Sequence, residues 1–365
     1  MKKNSLVLLL VTLLLSLVAC VPDKNDEPTN PDVFIEPTAI AIAPEQESII
    51  IKEGEQIAIN PILTPSNATK SALTWQSNNN KVCKVDQDGV ITGVGYGKTV
   101  VIAMYGSLQA TVVVRVEASE RKYELIWEDN FDGNSLNMAN WSYKTGTNFG
   151  NQEKQYCTEG TNNAYVRDGY LHIEAKKESY QGCNYTSARL ESKDKVKICY
   201  GKVEARISVP SGAGTWPAFW MMPNDNAYGA WPTSGEIDIM EHWGREPQIV
   251  SHAVHTGNAN GMGNHWSSKY NISNMENNFH TFGIEWIDNY ENGLDAIIFT
   301  LDGEVKARTT QIKNGTFRDW PFDKDFYIIL NLAIGGSLGG AVNDAIFNSP
   351  VIMKVDWVRM YKPVN

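Results

Sequence analysis

From residue 281 to residue 331 the chain reads as strands. Thr281-Phe282-Gly283-Ile284-Glu285-Trp286 alternates polar and apolar side chains, and Ala296-Ile297-Ile298-Phe299-Thr300-Leu301 is a short apolar run that stops at Asp302-Gly303. Phe326-Tyr327-Ile328-Ile329-Leu330-Asn331 follows in the same style. Alternation places every second side chain on one face, and turns at this spacing fold consecutive strands back on one another. Two packed antiparallel sheets are therefore expected rather than a parallel α/β core. Helix signals are few. Nearer the N-terminus, β-rich runs over residues 39–43, 55–62, 73–77, 82–85, 99–105 and 109–117 are separated by turn signals such as Asp88-Gly89. Six or seven short strands of this kind predict an Ig-like β-sandwich. The pattern thus predicts an all-β chain with a small sandwich over residues 33–119 and a large one over residues 120–365.

One strand-like run carries too much charge to be ordinary. Gly235-Glu236-Ile237-Asp238-Ile239-Met240-Glu241 sets three carboxylates among apolar neighbours. On a regular strand Glu236, Asp238 and Met240 share a face and Glu241 points the opposite way. One extra residue, taken up as a β-bulge near Ile239 and Met240, swings Glu241 back beside the other two acids. Two carboxyls drawn to roughly 5 Å have the separation of a retaining glycosidase, one as nucleophile and the other as proton donor. Asp238, between them, is placed to hydrogen-bond Glu236, and like-charge repulsion helps to keep Glu241 protonated at neutral pH. The competing reading is an edge strand with acids set against aggregation, or a calcium loop. Ile237, Ile239 and Met240 are too apolar for a solvated loop.

Tryptophans surround this run: Trp216 and Trp220 in Gly214-Thr215-Trp216-Pro217-Ala218-Phe219-Trp220, then Trp231-Pro232, then His242-Trp243-Gly244. Indole faces hold the C–H faces of pyranose rings, so a sugar groove is indicated, although each Trp taken alone reads as core. Together with Ser187-Ala188-Arg189-Leu190-Glu191-Ser192-Lys193, these segments resemble glycoside hydrolase family 16, and within it the laminarinase-like endo-β-glucanases, over residues 122–362.

The resemblance implies a concanavalin A-like β-jelly-roll with an open cleft and hydrolysis with retention. In it Glu236 is the nucleophile, Glu241 the general acid/base and Asp238 the helper carboxylate. It also implies substrate-binding roles for Arg189, which bonds sugar hydroxyls, for Trp216, Trp220 and Trp231 around the cleavage point, and for His255 and Asn331 as polar cleft residues. Met240 matches the bulged motif of the laminarinase-like branch and of several algal-galactan enzymes. The implied substrate is β-1,3-glucan (laminarin) or mixed-linkage β-1,3-1,4-glucan. Cleavage of an algal galactan, or glucan binding without catalysis, is the alternative. No cofactor is implied for catalysis. Family members often bind a structural calcium far from the cleft, and here Glu128, the carbonyl of Gly169 and Asp356 are the implied ligands, with Asn130 departing from the commoner Asp-Glu-Phe opening. His252 and His255, three apart, face opposite sides of one strand, which argues against a shared metal.

In the small module, Leu73-Thr74-Trp75-Gln76-Ser77 followed by Val85-Asp86-Gln87-Asp88-Gly89-Val90-Ile91-Thr92-Gly93 resembles the bacterial Ig-like group 2 domain. It carries no acid cluster and reads as a spacer more than a sugar-binding module, with Trp75 in its core. Charge narrows the partners further. The chain has 32 Lys and Arg against 42 Asp and Glu, a net of −10, which disfavours nucleic acid and anionic surfaces. A neutral polysaccharide is indifferent to that charge, and a monomer is expected.

The N-terminus sets the address. Met1-Lys2-Lys3 precedes an apolar run from Leu6 to Val18, and Leu17-Val18-Ala19-Cys20 ends it with small residues before a cysteine. The run is too short to span a membrane comfortably. It resembles a bacterial lipoprotein signal, implying cleavage after residue 19, lipidation of Cys20 and membrane attachment by that anchor alone. Residues 20–32, rich in Pro, Asp and Asn, read as a flexible tether. The expected location is the outer membrane, facing the cell surface, with periplasmic or secreted forms as alternatives. Of the other cysteines, Cys83 is expected as a lone buried thiol, and a bridge is left open, with Cys157 and Cys183 the favoured pair.

Overall fold

The computed structural model describes residues 34–117, 121–260 and 265–364. The signal segment, Cys20 and the tether lie outside the described residues.

The large module is a sandwich of two eight-stranded sheets, antiparallel as the alternation and turns require. The convex sheet runs Ala164–Arg167, Tyr170–Ala175, Val351–Pro363, Gly201–Ser208, Phe279–Glu291, Leu294–Leu301 and Glu304–Thr310, with Tyr123–Asp129 also paired to Val351–Pro363. The module's opening strand therefore closes against its last one. The other sheet forms the cleft. Its order is Ser142–Tyr143, Arg189–Glu191, Phe326–Ile334, Thr215–Pro223, Glu236–His242, Ile249–His255 and Trp266–Asn271, with Lys197–Ile198 also paired to Phe326–Ile334. Phe282, Ile284, Ile297 and Phe299 from the convex sheet meet Phe219, Met221, Ile237, Ile239, Leu330 and Leu332 from the cleft sheet in one buried core. With those side chains turned inward, their alternates, including Trp216, Trp220, Ile329 and Asn331, face the cleft.

Among the described residues the small module holds nine strands rather than six or seven. Ser48–Lys52, Leu108–Glu117, Gly97–Tyr105 and Thr74–Ser77 make one sheet. Gln56–Ala58, Val90–Gly93 and Cys83–Val85 make the second, and Ala39–Ala41 pairs with Ile62–Thr64. Ser48–Lys52 escaped the sequence pattern because three consecutive isoleucines hide the alternation that its burial shows. Trp75 lies in the core, as expected. Gly89 turns beneath it at φ +78°, where a Cβ would stand 2.6 Å from the indole, so only glycine fits the Asp88-Gly89 turn.

Cys83 is buried against Ser77, as expected of a lone thiol. The favoured bridge does not form. Residues 155–157 pair in parallel with 185–187, which sets Cys157 opposite Ser187 and leaves Cys183 in the preceding turn. Both thiols are free: Gln155 donates to the Cys157 sulfur, and Cys183 donates to Thr147.

The two modules touch through the turn between Phe279–Glu291 and Leu294–Leu301. Lys81 Nζ donates to the Gly293 carbonyl at 2.8 Å, the Asn292 amide to the Tyr96 carbonyl at 2.8 Å, and the Lys98 amide to Asn292 Oδ1 at 3.0 Å.

Candidate active site

The acidic strand starts abruptly. Gly235 has φ +92°, and a Cβ there would lie 2.8 Å from Pro321 and 2.9 Å from Phe322, so the chain turns into Glu236 over a packed aromatic floor that no larger residue allows. The strand then pairs Glu236 with His255, Ile237 with Val254 and Asp238 with Ala253, but its next pair is Glu241 with Ser251. Two residues, Ile239 and Met240, therefore stand opposite His252 alone, which is the bulge the sequence predicts. Ile237, Ile239 and Met240 are fully buried in the sandwich core. Glu236, Asp238 and Glu241 are thereby left on the cleft face together.

Each acid has its own support. Trp231 Nε1 donates to Glu236 Oε2 at 2.6 Å, and Trp216 Nε1 donates to Glu241 Oε1 at 3.0 Å. Asp238, only 4% exposed, shares a hydrogen bond with Glu236 and meets His255 Nε2 at 3.2 Å. Burial, then the charge of Asp238, pushes Glu236 up to about 8. Burial first, and after it the charge of Glu236, lifts Glu241 to about 7, against the opposing pull of the Trp216 N–H, His255 and Lys269. Asp238 is held well above the usual carboxylate range by burial and by the charge of Glu241. Charge on any one of the three raises another, so the cluster keeps protons near neutrality. A protonated and an ionised carboxyl side by side is the starting state for acid-assisted nucleophilic attack at a glycosidic carbon.

The implied binding residues form the walls. Asn331 pairs across the sheet with Arg189 on one side and Ala218 on the other, and Ala218 pairs with Glu241, so these four lie in one row. Asn331 Oδ1 accepts from Trp220 Nε1 at 2.7 Å. The Arg189 guanidinium lies between the Trp220 ring at 4.7 Å and the Phe149 ring at 5.1 Å and is paired with Glu191 at 2.8 Å. Trp231 is 51% exposed and offers an open face. Trp216 differs from the other two. At 7% exposed and packed with Trp243 and Ala333, it steadies Glu241 through its N–H and offers little face for a sugar to stack on. His255 reaches Asp238 in the cleft, whereas His252 is buried on the opposite side of the same strand, as the spacing predicts.

The residues implied for calcium are only partly gathered. Gly169 and Asp356 line one surface hollow of about 470 Å³ together with Asn130, Asp132 and Asp168, an oxygen-rich set suited to a hard cation. Asp356 is ion-paired with Arg206, and Glu128 is engaged by Arg359 Nε at 3.1 Å, so both carboxylates already have cationic partners. The hollow's oxygen donors fit calcium at Asp356 and Gly169, whereas Glu128 does not line it.

Several contributors gave no signal in the sequence. Lys269 lies on the Glu241 row through Ser251, stands 4.3 Å over the Trp243 ring, and its charge favours ionised Glu241. Glu153 and Gln155, at 2.6 Å from one another, sit behind Arg189, whose charge favours ionised Glu153. They come from a stretch whose sequence shows no strand period, although Gln155 opens the strand Gln155–Cys157, and only the tertiary path brings them beside Arg189.

Comparison with known proteins agrees with this geometry. The family described as glycosyl hydrolases family 16 matches residues 151–359, and the bacterial Ig-like domain (group 2) matches residues 38–116. The chain is similar to a beta-glucanase of Rhodothermus marinus, 40% identical over 255 residues covering 67% of this chain and 86% of that protein. It is also similar to the glucan endo-1,3-beta-glucosidase A1 of Niallia circulans, at 36% identity over 65% of this chain and 38% of the relative. Among solved structures, the laminarinase of Rhodothermus marinus superposes with a TM-score of 0.63 at 39% identity, covering 68% of this chain and all of that one.

Proposed function

Because the chain belongs to the family 16 glycosyl hydrolases, we propose that it cuts β-1,3-glucan of the laminarin type within the chain and with retention, mixed-linkage β-1,3-1,4-glucan being the second polymer for the same cleft. The observation that carries this reading is the placement of Glu236 and Glu241 on one cleft face, each held by an indole N–H. Glu236 attacks the anomeric carbon while Glu241 protonates the departing oxygen, giving a covalent glycosyl-enzyme. Glu241, now ionised, takes a proton from water, which releases the sugar with its β configuration. Asp238 bridges Glu236 and His255, fixing the nucleophile's carboxyl relative to the strand. Relatives named as beta-glucanase and as glucan endo-1,3-beta-glucosidase support the choice of polymer.

Glu236→Ala and Glu241→Ala are each expected to abolish reducing-sugar release from laminarin while the protein keeps its far-ultraviolet dichroism. Wild-type turnover in either variant refutes the assignment. Product chromatography on laminarin, barley glucan, agarose and carrageenan is expected to show oligosaccharides from the first two only, and proton NMR is expected to show the β-anomer first.

Two properties accompany this reading. Calcium at the Gly169 and Asp356 hollow is expected to raise the melting temperature and EDTA to lower it, with about 2.7 kcal/mol gained at a hundredfold excess over Kd; Asp356→Asn should erase the calcium-dependent increment. Lipidation at Cys20, supported by the sequence of residues 1–20, is tested by loss of labelled fatty acid in Cys20→Ala.

A further inference from the structure

The bulge places one residue of the neighbouring strand against two. Between the pairs Asp238 with Ala253 and Glu241 with Ser251, His252 alone faces Ile239 and Met240. A bulged residue leaves the regular ladder, and a buried backbone carbonyl that leaves it needs another donor. His252 Nδ1 lies 2.5 Å from the Ile239 carbonyl oxygen. The ring is fully buried, stacked on Phe299 at 4.6 Å and set against Tyr270 at 4.9 Å, so its orientation is fixed by the convex sheet on one side and by the next strand on the other. A carbonyl can only accept, so Nδ1 carries the proton. Nε2, buried without a hydrogen-bond partner, carries the lone pair. Burial keeps the imidazole neutral, with its pKa lowered to about 4. His255, on the same strand as His252, meets the acidic strand from the cleft side instead, at Asp238.

We propose that His252 is the positioning residue for the acid/base: its Nδ1–H, bonded to the Ile239 carbonyl, holds the two-for-one bulge that turns Met240 into the core and Glu241 into the cleft. The inference rests on the reading of Glu241 as general acid/base. The bond acts through the backbone two residues before Glu241 and touches no reacting atom. Its loss frees the bulge to migrate along the strand and lets the Glu241 carboxyl drift from the scissile oxygen, while Glu236, which precedes the bulge, keeps its pairing with His255.

Two full-length variants separate this role from simple packing. His252→Asn sets an amide N–H where Nδ1 stood, whereas His252→Leu keeps an apolar body and removes the donor. On laminarin, H252L is expected to lose about 10²-fold in kcat with KM within about twofold, and H252N to stay within about fivefold of wild type. On a dinitrophenyl β-laminaribioside, whose leaving group needs no proton, H252L is expected to form the glycosyl-enzyme at the wild-type rate. Unchanged kcat in H252L on laminarin, equal losses in H252L and H252N, or equal losses on the two substrates each overturn the proposal. Nitrogen NMR of wild-type His252 is expected to show the neutral Nδ1–H form, and the Nε2–H tautomer overturns the proposal even where H252L does not fold. Glu241→Ala is assayed beside them. Wild-type turnover in E241A sinks the acid/base reading and the positioning role with it, whereas loss in E241A without loss in H252L sinks the positioning role alone.

Discussion

Glu241 holds a proton where a free carboxyl has lost it, and both stability and rate follow from that. Its value in the folded protein is about 7, above the usual 4.5, so between those pH values the folded state binds a proton that the unfolded state has released. Stability contributed by that proton is fully present below about 4.5 and is lost as pH rises toward 7. Glu241→Gln removes the penalty and is expected to be more stable than wild type at pH 7 by on the order of 2 kcal/mol, with the difference vanishing near pH 4, as read by urea melts at the two pH values. Activity declines over the same range. The kcat/KM of the wild type is expected to fall as pH rises through about 7, where Glu241 loses the proton it donates to the leaving oxygen. Trp216→Phe deletes a donor that favours ionised Glu241, so its alkaline limb should move upward; a limb that stays in place or moves down rejects the Trp216 contact as a tuning interaction. The three acids are the part of the site most legible in the sequence, because their spacing along one strand and the apolar residues between them leave few other structures. The tryptophans were legible as a group but not in their separate roles. Whether an indole shows its face, as Trp231 does, or its N–H, as Trp216 does, depends on what packs behind it.

At the scale of the strand, the bulge decides which way Glu241 points, and the count of residues decides whether a bulge is needed. Deleting Met240 leaves Glu236, Asp238 and the displaced acid in plain alternation on one face. The deletion variant is therefore expected to keep measurable laminarin hydrolysis, losing less than the ~10²-fold of a misplaced acid. A well-folded deletion with no detectable hydrolysis would mean that the bulge sets more than the facing of Glu241. Neighbouring strands behave differently. Arg189 and Asn331 face one another across a pair of strands, yet nothing near either residue announces the other, because cross-strand register is fixed by long-range pairing and by the core residues that alternate with them. Strand 281–286 is foreseeable from its alternation and strands 296–301 and 326–331 from apolar runs of strand length, whereas the three isoleucines of Ser48–Lys52 are too short a run to announce a strand.

Across the whole molecule, the described residues of the Ig-like module and the catalytic sandwich meet around Asn292 and Gly293 and at the adjoining strand end, where Tyr290 packs on Tyr96. Gly293 has φ +80°, and a Cβ there would fall 2.2 Å from the Lys81 side chain, so the contact is close as well as hydrogen-bonded. Lys81→Ala with Asn292→Ala is expected to widen the solution scattering envelope and leave laminarin kcat unchanged; an unchanged envelope rejects the contact as a clamp. The sequence by itself determined the all-β class, the two sandwiches, the acidic strand with its extra residue and the segments that carry the family, because period-two patterning and local residue counts are written along the chain. Only the tertiary structure decided which side chains stand behind the acids, from Trp216 and His255 to Lys269, Glu153 and His252. It also decided that Cys157 and Cys183 stay apart and that the modules touch. Those outcomes depend on the register and packing of strands distant in sequence, which depend on the whole core at once.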